Sequence, residues 1–118
     1  MSRRMRIGFI GAGVVSTALA RGLSRAGYAV VAVASRRFES AQRLAAAIPG
    51  CLAYPEPGAA ANAADLVFIT TRDDAIAEVA RSVRWVSGQM VVHTSGAATI
   101  SALTASKEAG ALVGSFHP

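Results

Sequence analysis

The sequence is poor in cysteine and histidine, and this scarcity limits the kinds of site that the chain can form. Among 118 residues there are one cysteine, Cys51, and two histidines, His93 and His117. One cysteine excludes an internal disulfide and a cysteine-rich metal site. No carboxylate cluster accompanies the histidines, so no metal is expected. Cys51 is predicted to be a small buried or half-buried thiol without a catalytic role, and the low cysteine content agrees with a cytoplasmic location.

Aromatic and charged residues are also few, at 6% and 16% of the chain, whereas 53% of the residues are hydrophobic. This composition lies far from that of disordered chains and is sufficient for a buried core. The length suits one domain and leaves little room for a second.

Lysine is almost absent, and most of the positive charge behind the net +5 comes from arginine. The arginines are spread from Arg3 to Arg84, and aromatic residues do not alternate with them. A nucleic-acid surface more often combines clustered positive charge with stacking aromatics, so nucleic acid is not an expected partner. The charge still favours anionic ligands in general, phosphates among them.

Residues 7–23, IGFIGAGVVSTALARGL, are typical of two unrelated kinds of protein. Basic residues followed by an apolar run can form a signal peptide. Here three glycines interrupt the run, and Arg21 and Arg25 end it. We therefore expect neither export nor a membrane partner. In the other kind of protein, GAG is a turn that holds a pyrophosphate.

The residues around GAG predict a strand, a turn, a helix and a second strand. MRIGFI is a short apolar run, and the helix that follows the glycines has Val15, Leu19 and Leu23 on one face. Gly27 is placed to end that helix. AVVAVAS is then continuously apolar, as expected for a strand buried on both faces. Together these elements form a βαβ unit with parallel strands.

The glycines match the first two positions of the dinucleotide fingerprint. The first glycine makes a tight turn, and the second lets the backbone approach a pyrophosphate at the helix N-terminus. A small residue, Ser16, stands at the third position. The predicted pyrophosphate-binding residues are Gly11, Ala12, Gly13, Val14 and Val15.

The end of the second strand favours NADP(H) over NAD(H). An NAD site needs Asp or Glu here to bind the ribose 2′-hydroxyl. This chain has Ser35, Arg36 and Arg37, and no carboxylate before Glu39. A hydroxyl and two guanidinium groups suit a 2′-phosphate. The alternative is that both arginines are solvated loop residues, although arginine at a helix N-terminus opposes the helix dipole.

Strands and helices continue to alternate along the chain. CLAY, DLVFIT, MVVH and ALVGSF read as further strands, and PEPGAAANA, DDAIAEVARSV and ATISALTASKEAG contain helices. This pattern predicts an α/β Rossmann fold, a doubly wound, mostly parallel sheet of about six strands with helices on both faces. The expected strand order is 3-2-1-4-5-6, with the ligand at the carboxyl ends of the first and fourth strands.

Polar residues follow three of these strands and are candidates for the nicotinamide side of the site. Thr70 and Thr71 follow the fourth strand, Thr94 and Ser95 the fifth, and His117 the sixth. The alternative for the hydroxyl residues is turn and capping chemistry. For His93, a buried histidine with satisfied hydrogen bonds is an equal alternative to a functional role.

Five motifs, IGFIGAG, VAVASRR, ADLVFITTRDDAI, VVHTSGA and GALVGSFHP, resemble the Rossmann-like amino-terminal domain of the DUF2520 oxidoreductase family. Pyrroline-5-carboxylate reductases, deazaflavin-dependent NADP reductases and prephenate dehydrogenases are similar but more distant. The resemblance implies a further α-helical domain, which completes the active site, carries the small-molecule substrate and often dimerises. By similarity to prephenate dehydrogenases, Ser95 and His117 are the implied catalytic residues, with the histidine acting on the substrate hydroxyl.

The sequence departs from the family pattern in two places. Thr71 and Arg72 stand where relatives often have an apolar residue and proline, which could alter contacts on the nicotinamide side. Arg37 and Phe38 replace a more usual Ser-Pro helix start and add positive charge at the 2′-phosphate site.

The sequence therefore predicts the NADP(H)-binding domain of an oxidoreductase that catalyses hydride transfer to or from a small molecule. This domain alone is expected to bind the cofactor but not to catalyse the reaction. A non-catalytic dinucleotide-binding module and a vestigial site are the alternatives. The residues identify neither the substrate nor a second cofactor such as a deazaflavin.

Overall fold

The computed structural model describes residues 4–116. All six strands belong to one parallel sheet with the order β3-β2-β1-β4-β5-β6, which confirms the predicted fold and strand order. The strands are β1 (Arg6–Ile10), β2 (Ala29–Ala34), β3 (Leu52–Tyr54), β4 (Leu66–Ile69), β5 (Met90–His93) and β6 (Leu112–Ser115).

Five α-helices connect the strands, and two short 3₁₀ turns (Asp73–Ala75 and Ile100–Leu103) precede the last two. None of the helices in the described part of the chain is long and apolar enough to cross a bilayer. The helices are α1 (Val14–Arg25), α2 (Phe38–Ala46), α3 (Pro57–Asn62), α4 (Ile76–Ser82) and α5 (Thr104–Glu108).

The first half of the core lies between the sheet and helices α1 and α2. Phe9 of β1 and Phe68 of β4 stack with their ring centroids 5.1 Å apart. Ala41 and Leu44 of α2 pack into the same cluster of buried residues. Side chains of alternating strand residues thus point towards these two helices.

Helix α1 meets the sheet through smaller side chains than the sequence predicts. Ser16 and Ala20 are its fully buried residues, whereas Leu19 and Leu23 are partly buried. Val15 is 38% exposed. Of the residues predicted to share one face of α1, Leu19 and Leu23 thus pack partly against the core and Val15 is exposed, while the most buried contact is made by the adjacent Ser16 and Ala20.

The second half of the core lies on the opposite face, under α3, α4 and α5. Val67, Ile69 and Val91 of the sheet pack there against helical residues. The predicted inner face of α4 is confirmed, since Ile76 and Ala80 are buried, as is Val83 just beyond the helix, and Val79 is partly buried. With helices on both faces, the strand alternation produces the doubly wound arrangement that the sequence predicts.

One part of the sheet has no helix over it among residues 4–116. On the side of α1 and α2, these two helices cover β1, β2 and β3 but leave the face of β5 and β6 open. The strand register places Leu66, Met90 and Leu112 in one row on this side. Leu112 is 65% exposed, and Phe116, just beyond β6, is 47% exposed. We call this surface the open half-sheet.

The amino-terminal ends of β1 and β4 are joined by an ion pair. Asp65 accepts hydrogen bonds from the backbone N–H of Arg6 at 2.9 Å and from its guanidinium at 3.2 and 3.3 Å. These contacts lie at the edge of the sheet opposite the glycine turn. They therefore stabilise the strand pairing and lie away from the carboxyl edge of the sheet.

Candidate functional site

The glycine turn between β1 and α1 is seated against the end of β4. Gly11 has φ +122°, and its N–H donates to the carbonyl of Ala34 at 2.7 Å. A Cβ atom at this position would lie 2.4 Å from Thr70 Oγ1 and 2.9 Å from the Thr70 carbonyl carbon. Thr70 in turn donates its N–H to Ile10 at 2.9 Å. Only glycine satisfies both the backbone conformation and this close approach.

Gly13 serves a different purpose, because the space beside it is empty of protein. It is the N-cap of α1, and no side chain caps the helix. A Cβ atom here would meet nothing within 4 Å, and the next residue, Val14, is 88% exposed. The N-terminal N–H groups and the positive end of the helix dipole therefore face an approachable surface, which fits a pyrophosphate.

The turn after β2 carries the predicted arginines. Arg36 and Arg37 are exposed, and neither forms an ion pair within residues 4–116. The Ser35 hydroxyl donates to the carbonyl of Arg37, which is the N-cap of α2 and makes no side-chain cap of its own. Two guanidinium groups thus stand beside an uncapped helix start and are donors suited to phosphate oxygens, while the Ser35 hydroxyl would have to release its bond to Arg37 in order to donate as well.

These turns border a cleft of about 940 Å³ at the carboxyl edge of the sheet. That volume is within the range of small-molecule and cofactor sites. The predicted residues that line it are Gly11, Ala12, Gly13, Ser35, Arg36, Arg37, Thr70 and Thr71.

Thr71 provides an independent indication of a ligand. Its hydroxyl oxygen is buried and has no hydrogen-bond partner within the described ranges of the chain. Leaving a buried hydroxyl unpaired costs about 1–3 kcal/mol. Because Thr71 lines the cleft, a polar group of a bound ligand would remove this cost. The open space at Gly13, the two arginines without an ion pair among residues 4–116 and this hydroxyl are together compatible with a bound dinucleotide.

Comparison with known proteins agrees with this geometry. The family model of the Rossmann-like domain matches residues 1–118. The chain belongs to the Rossmann-like domain family. No curated protein matches the sequence.

Several solved structures share this Rossmann-like domain. The Bacteroides fragilis protein BF3122, assigned as an NADP oxidoreductase, is 31% identical with a TM-score of 0.72 over 83% of this chain and 38% of its own. An imine reductase from Pseudomonas sp. is 27% identical with a TM-score of 0.78 over 95% of this chain and 41% of its own. The 3-hydroxyisobutyrate dehydrogenase of Mycobacterium tuberculosis shares the fold. It is 17% identical with a TM-score of 0.79 over 94% of this chain and 39% of its own. The chain thus spans about two fifths of the length of these proteins.

Four other predicted site residues are absent from the cleft lining: Val14, Val15, Thr94 and Ser95. Val14 and Val15 occupy the first turn of α1, where Val14 borders a shallow groove along the helix. Thr94 and Ser95 follow β5, one strand further along the sheet. His117 lies outside the described residues.

Ser95 and His93 form a small hydrogen-bonded turn. The N–H of Ser95 donates to Nδ1 of the fully buried His93 at 3.2 Å, so the ring proton lies on Nε2, which donates to Thr99 O at 3.0 Å. The Ser95 hydroxyl accepts from the N–H groups of Ala97 and Ala98 at 3.1 and 2.9 Å. The hydrogen bonds therefore support the interpretation of His93 as a buried histidine whose two ring nitrogens are both paired.

Cys51 has the properties expected of a structural thiol. It is half-buried, and burial raises its pKa from 9.0 to about 11. A raised pKa leaves little thiolate near neutral pH, and the thiolate is the reactive form.

Sequence reasoning missed the wall of the cleft that faces the arginines. Residues after β4 and on the first turns of α4 line it, and we call them the α4 wall: Arg72, Asp74, Ala75, Glu78 and Val79. The β3–α3 turn adds Pro55, Glu56 and Pro57, and α2 adds Ser40. The predicted strand order already placed the end of β4 beside the glycine turn, so the sequence contained a signal for this wall.

Proposed function

We propose that this Rossmann-like domain binds NADP(H) and belongs to an oxidoreductase that transfers hydride to or from a small molecule. The observation that carries the proposal is the cleft shared by the glycine turn and by Arg36 and Arg37, which form no ion pair within the described part of the chain. Similarity to the BF3122 protein and to an imine reductase supports the same cofactor and reaction class. The finer resemblance to the DUF2520 family is part of this proposal.

The arginines and the glycine turn would hold opposite ends of the adenosine half of the cofactor. The uncapped start of α1 at Gly13 receives the pyrophosphate, and the N–H groups of the first turn donate to it. Arg36 and Arg37, helped by Ser35, receive the 2′-phosphate. Because no carboxylate stands at the end of β2, nothing there selects an unphosphorylated ribose.

When bound, the nicotinamide ring supplies the hydride chemistry, and the protein orients the ring and excludes water. Thr70 fixes the glycine turn through its bond to Ile10, and the buried Thr71 hydroxyl is free to bind a polar group of the cofactor. Thr94 and Ser95 lie one strand further, where the nicotinamide side of the cofactor is expected. The Ser95 hydroxyl accepts two backbone hydrogen bonds and keeps its own proton to donate.

The catalytic roles of Ser95 and His117 are part of the proposal and rest on the resemblance to prephenate dehydrogenases. A histidine there would hold or move a proton at the substrate hydroxyl. We further propose that a helical domain beyond this chain provides the substrate pocket and a dimer interface, in agreement with the greater length of the structural neighbours.

The test is titration calorimetry of the protein with NADPH, NADH and adenosine 2′,5′-bisphosphate. We expect NADPH and the bisphosphate to bind, with NADH weaker. Each of Arg36→Ala and Arg37→Ala removes a charge-assisted contact of about 1.5–3 kcal/mol and should lower NADPH affinity about 10- to 150-fold. Affinity for NADH should change little.

Arg43→Ala is the matched control, because Arg43 is an exposed arginine of α2 that does not line the cleft. It should leave NADPH affinity unchanged. Equal affinity of the wild-type protein for NADH and NADPH would refute the cofactor preference. No binding of any of the three ligands to the folded protein would refute the function.

A further inference from the structure

The two walls of the cleft differ in charge. Arg36 and Arg37 give the β2–α2 side two guanidinium groups and no carboxylate. The α4 wall has one guanidinium, Arg72, beside two carboxylates, Asp74 and Glu78. An anionic group is therefore attracted to the first wall and, on balance, repelled by the second. If the 2′-phosphate lies on the first wall, the part of the nucleotide against the α4 wall must be uncharged.

The α4 wall also offers an apolar surface of suitable size. Ala75 is the N-cap of α4 and Val79 lies four residues further on, and both line the cleft. Both are partly buried, and Val79 packs against the core beneath it. A short, fixed apolar surface beside a cation suits a flat, uncharged aromatic ring.

Arg72 is held in a way that leaves the faces of its guanidinium accessible. Its Nη2 donates to Asp74 Oδ2 at 3.3 Å. The N–H groups of a guanidinium lie in its plane, so this bond uses an edge of the group and not a face. The Arg72 side chain is 78% exposed and that of Asp74 73%, which leaves room for a ring to lie over the guanidinium. Guanidinium faces stack well on aromatic rings.

We propose that Arg72 stacks on the adenine ring of the bound dinucleotide, beside Ala75 and Val79, while Asp74 holds the edge of its guanidinium. This inference rests on the proposed function and adds a positioning residue to it. Arg72 would thus contribute to recognition of the base, which the glycine turn does not contact.

The experiment measures binding of adenosine 2′,5′-bisphosphate by calorimetry at several NaCl concentrations. Replacing a side chain that stacks on a base with alanine typically costs about 1–2 kcal/mol of binding free energy. Arg72→Ala should therefore weaken binding about 5- to 30-fold. Arg72→Lys keeps the charge but lacks the planar group, and it should lose nearly as much. The loss should persist at high salt, because stacking depends less on screening than a phosphate contact does.

Arg81→Ala is the matched control, since Arg81 is an exposed arginine of α4 outside the cleft lining. Melting curves establish that each variant is folded. Arg72→Lys with wild-type affinity, Arg72→Ala without loss, or a loss that disappears at high salt would each overturn the stacking role while leaving NADP(H) binding intact. A wild-type protein that does not bind the bisphosphate would overturn both proposals.

Discussion

Gly11 and Gly13 lie two residues apart in one turn, yet each is required for a separate reason. A side chain at Gly11 would strike Thr70 and strain a positive φ, whereas one at Gly13 would project into open space. The first glycine is therefore required by the fold, whereas the open space at the second is where we propose that the pyrophosphate binds.

Substituting each glycine with alanine should separate these two roles. Gly11→Ala should lower the free energy of unfolding by about 2–5 kcal/mol, from backbone strain and from contact with Thr70. Gly13→Ala should change it by no more than about 1 kcal/mol but should weaken NADPH binding. Urea denaturation and calorimetry measure the two quantities. Equal stability of the two variants would contradict this assignment.

The Cys51 thiol should be slow to react in the folded protein. With a pKa of about 11 instead of 9.0, it forms less thiolate at pH 8 than the unfolded chain does. We expect alkylation by iodoacetamide to be about 10- to 100-fold slower in buffer than in urea. The unfolded state loses its proton first, so the free energy of unfolding should fall as pH rises from about 9 to about 11. Equal alkylation rates in buffer and urea would show that the thiol is not protected.

At the scale of elements, buried Gln89 connects three segments at the start of β5. Its amide nitrogen donates to the carbonyls of Ala61 and Ala64, each at 2.9 Å, and its amide oxygen accepts from Val86 N–H at 2.7 Å. The two carbonyls belong to the C-terminal end of α3 and the turn after it, where helix carbonyls lack intrahelical partners. One side chain thus fastens α3 to the opposite half of the sheet.

Gln89→Met keeps the side-chain size but removes the partner of the Val86 N–H and of the Ala64 carbonyl, whereas the Ala61 carbonyl keeps its bond from Ala64 N–H at 3.1 Å. We expect the free energy of unfolding to fall by about 2–5 kcal/mol, because each unsatisfied buried group costs about 1–3 kcal/mol and water recovers part of this. Gln42→Met on the exposed face of α2 is the control and should stay within about 0.5 kcal/mol. Chemical denaturation compares the two, and a similar loss in both would argue against the network.

Most elements could be predicted from the sequence because their signals are local. The glycine turn, the arginines after β2 and the continuous apolar strands each occupy a few adjacent residues. The inner face of α1 could not be found in this way, since hydrophobicity favours Leu19 and Leu23 whereas close packing selects Ser16 and Ala20. The rule that large apolar residues are the most buried therefore fails for α1, whose fully buried residues are small.

The α4 wall escaped prediction for a different reason. Arg72 and Val79 are about forty residues from the arginines that they face, and their place in the cleft depends on which side of α4 borders it. Sequence periodicity identified the residues of α4 that face the core, but it does not show which of its other residues border the cleft. Likewise, the structural role of His93 became clear only from its hydrogen bonds with Ser95 and Thr99.

At the scale of the whole molecule, the strand order gathers four turns into one cleft while the core lies on both faces of the sheet. Ligand binding and folding are therefore linked, because the turns contribute to the site only when β1, β2 and β4 are paired. A ligand that binds only the folded state must stabilise it.

NADPH should accordingly raise the melting temperature. At a concentration of about 100 times its dissociation constant it contributes about 2.7 kcal/mol, which corresponds to roughly 10 °C for a domain of this size. NADH at the same concentration should raise it less. Arg36→Ala should reduce the NADPH effect while leaving the melting temperature of the free protein nearly unchanged. A rise that is equal for both nucleotides would contradict selection by the 2′-phosphate.

The open half-sheet affects how such melting should be followed. Environment-sensitive dyes bind exposed apolar surface, and Leu112 and Phe116 present such a surface in the native state. Dye fluorescence will therefore start high before any heating, and its increase on unfolding will be small. The single tryptophan, Trp85, is buried and donates its indole N–H to Ala80 at 2.8 Å. Its intrinsic emission reports loss of the core beneath α4 without interference from that uncovered face.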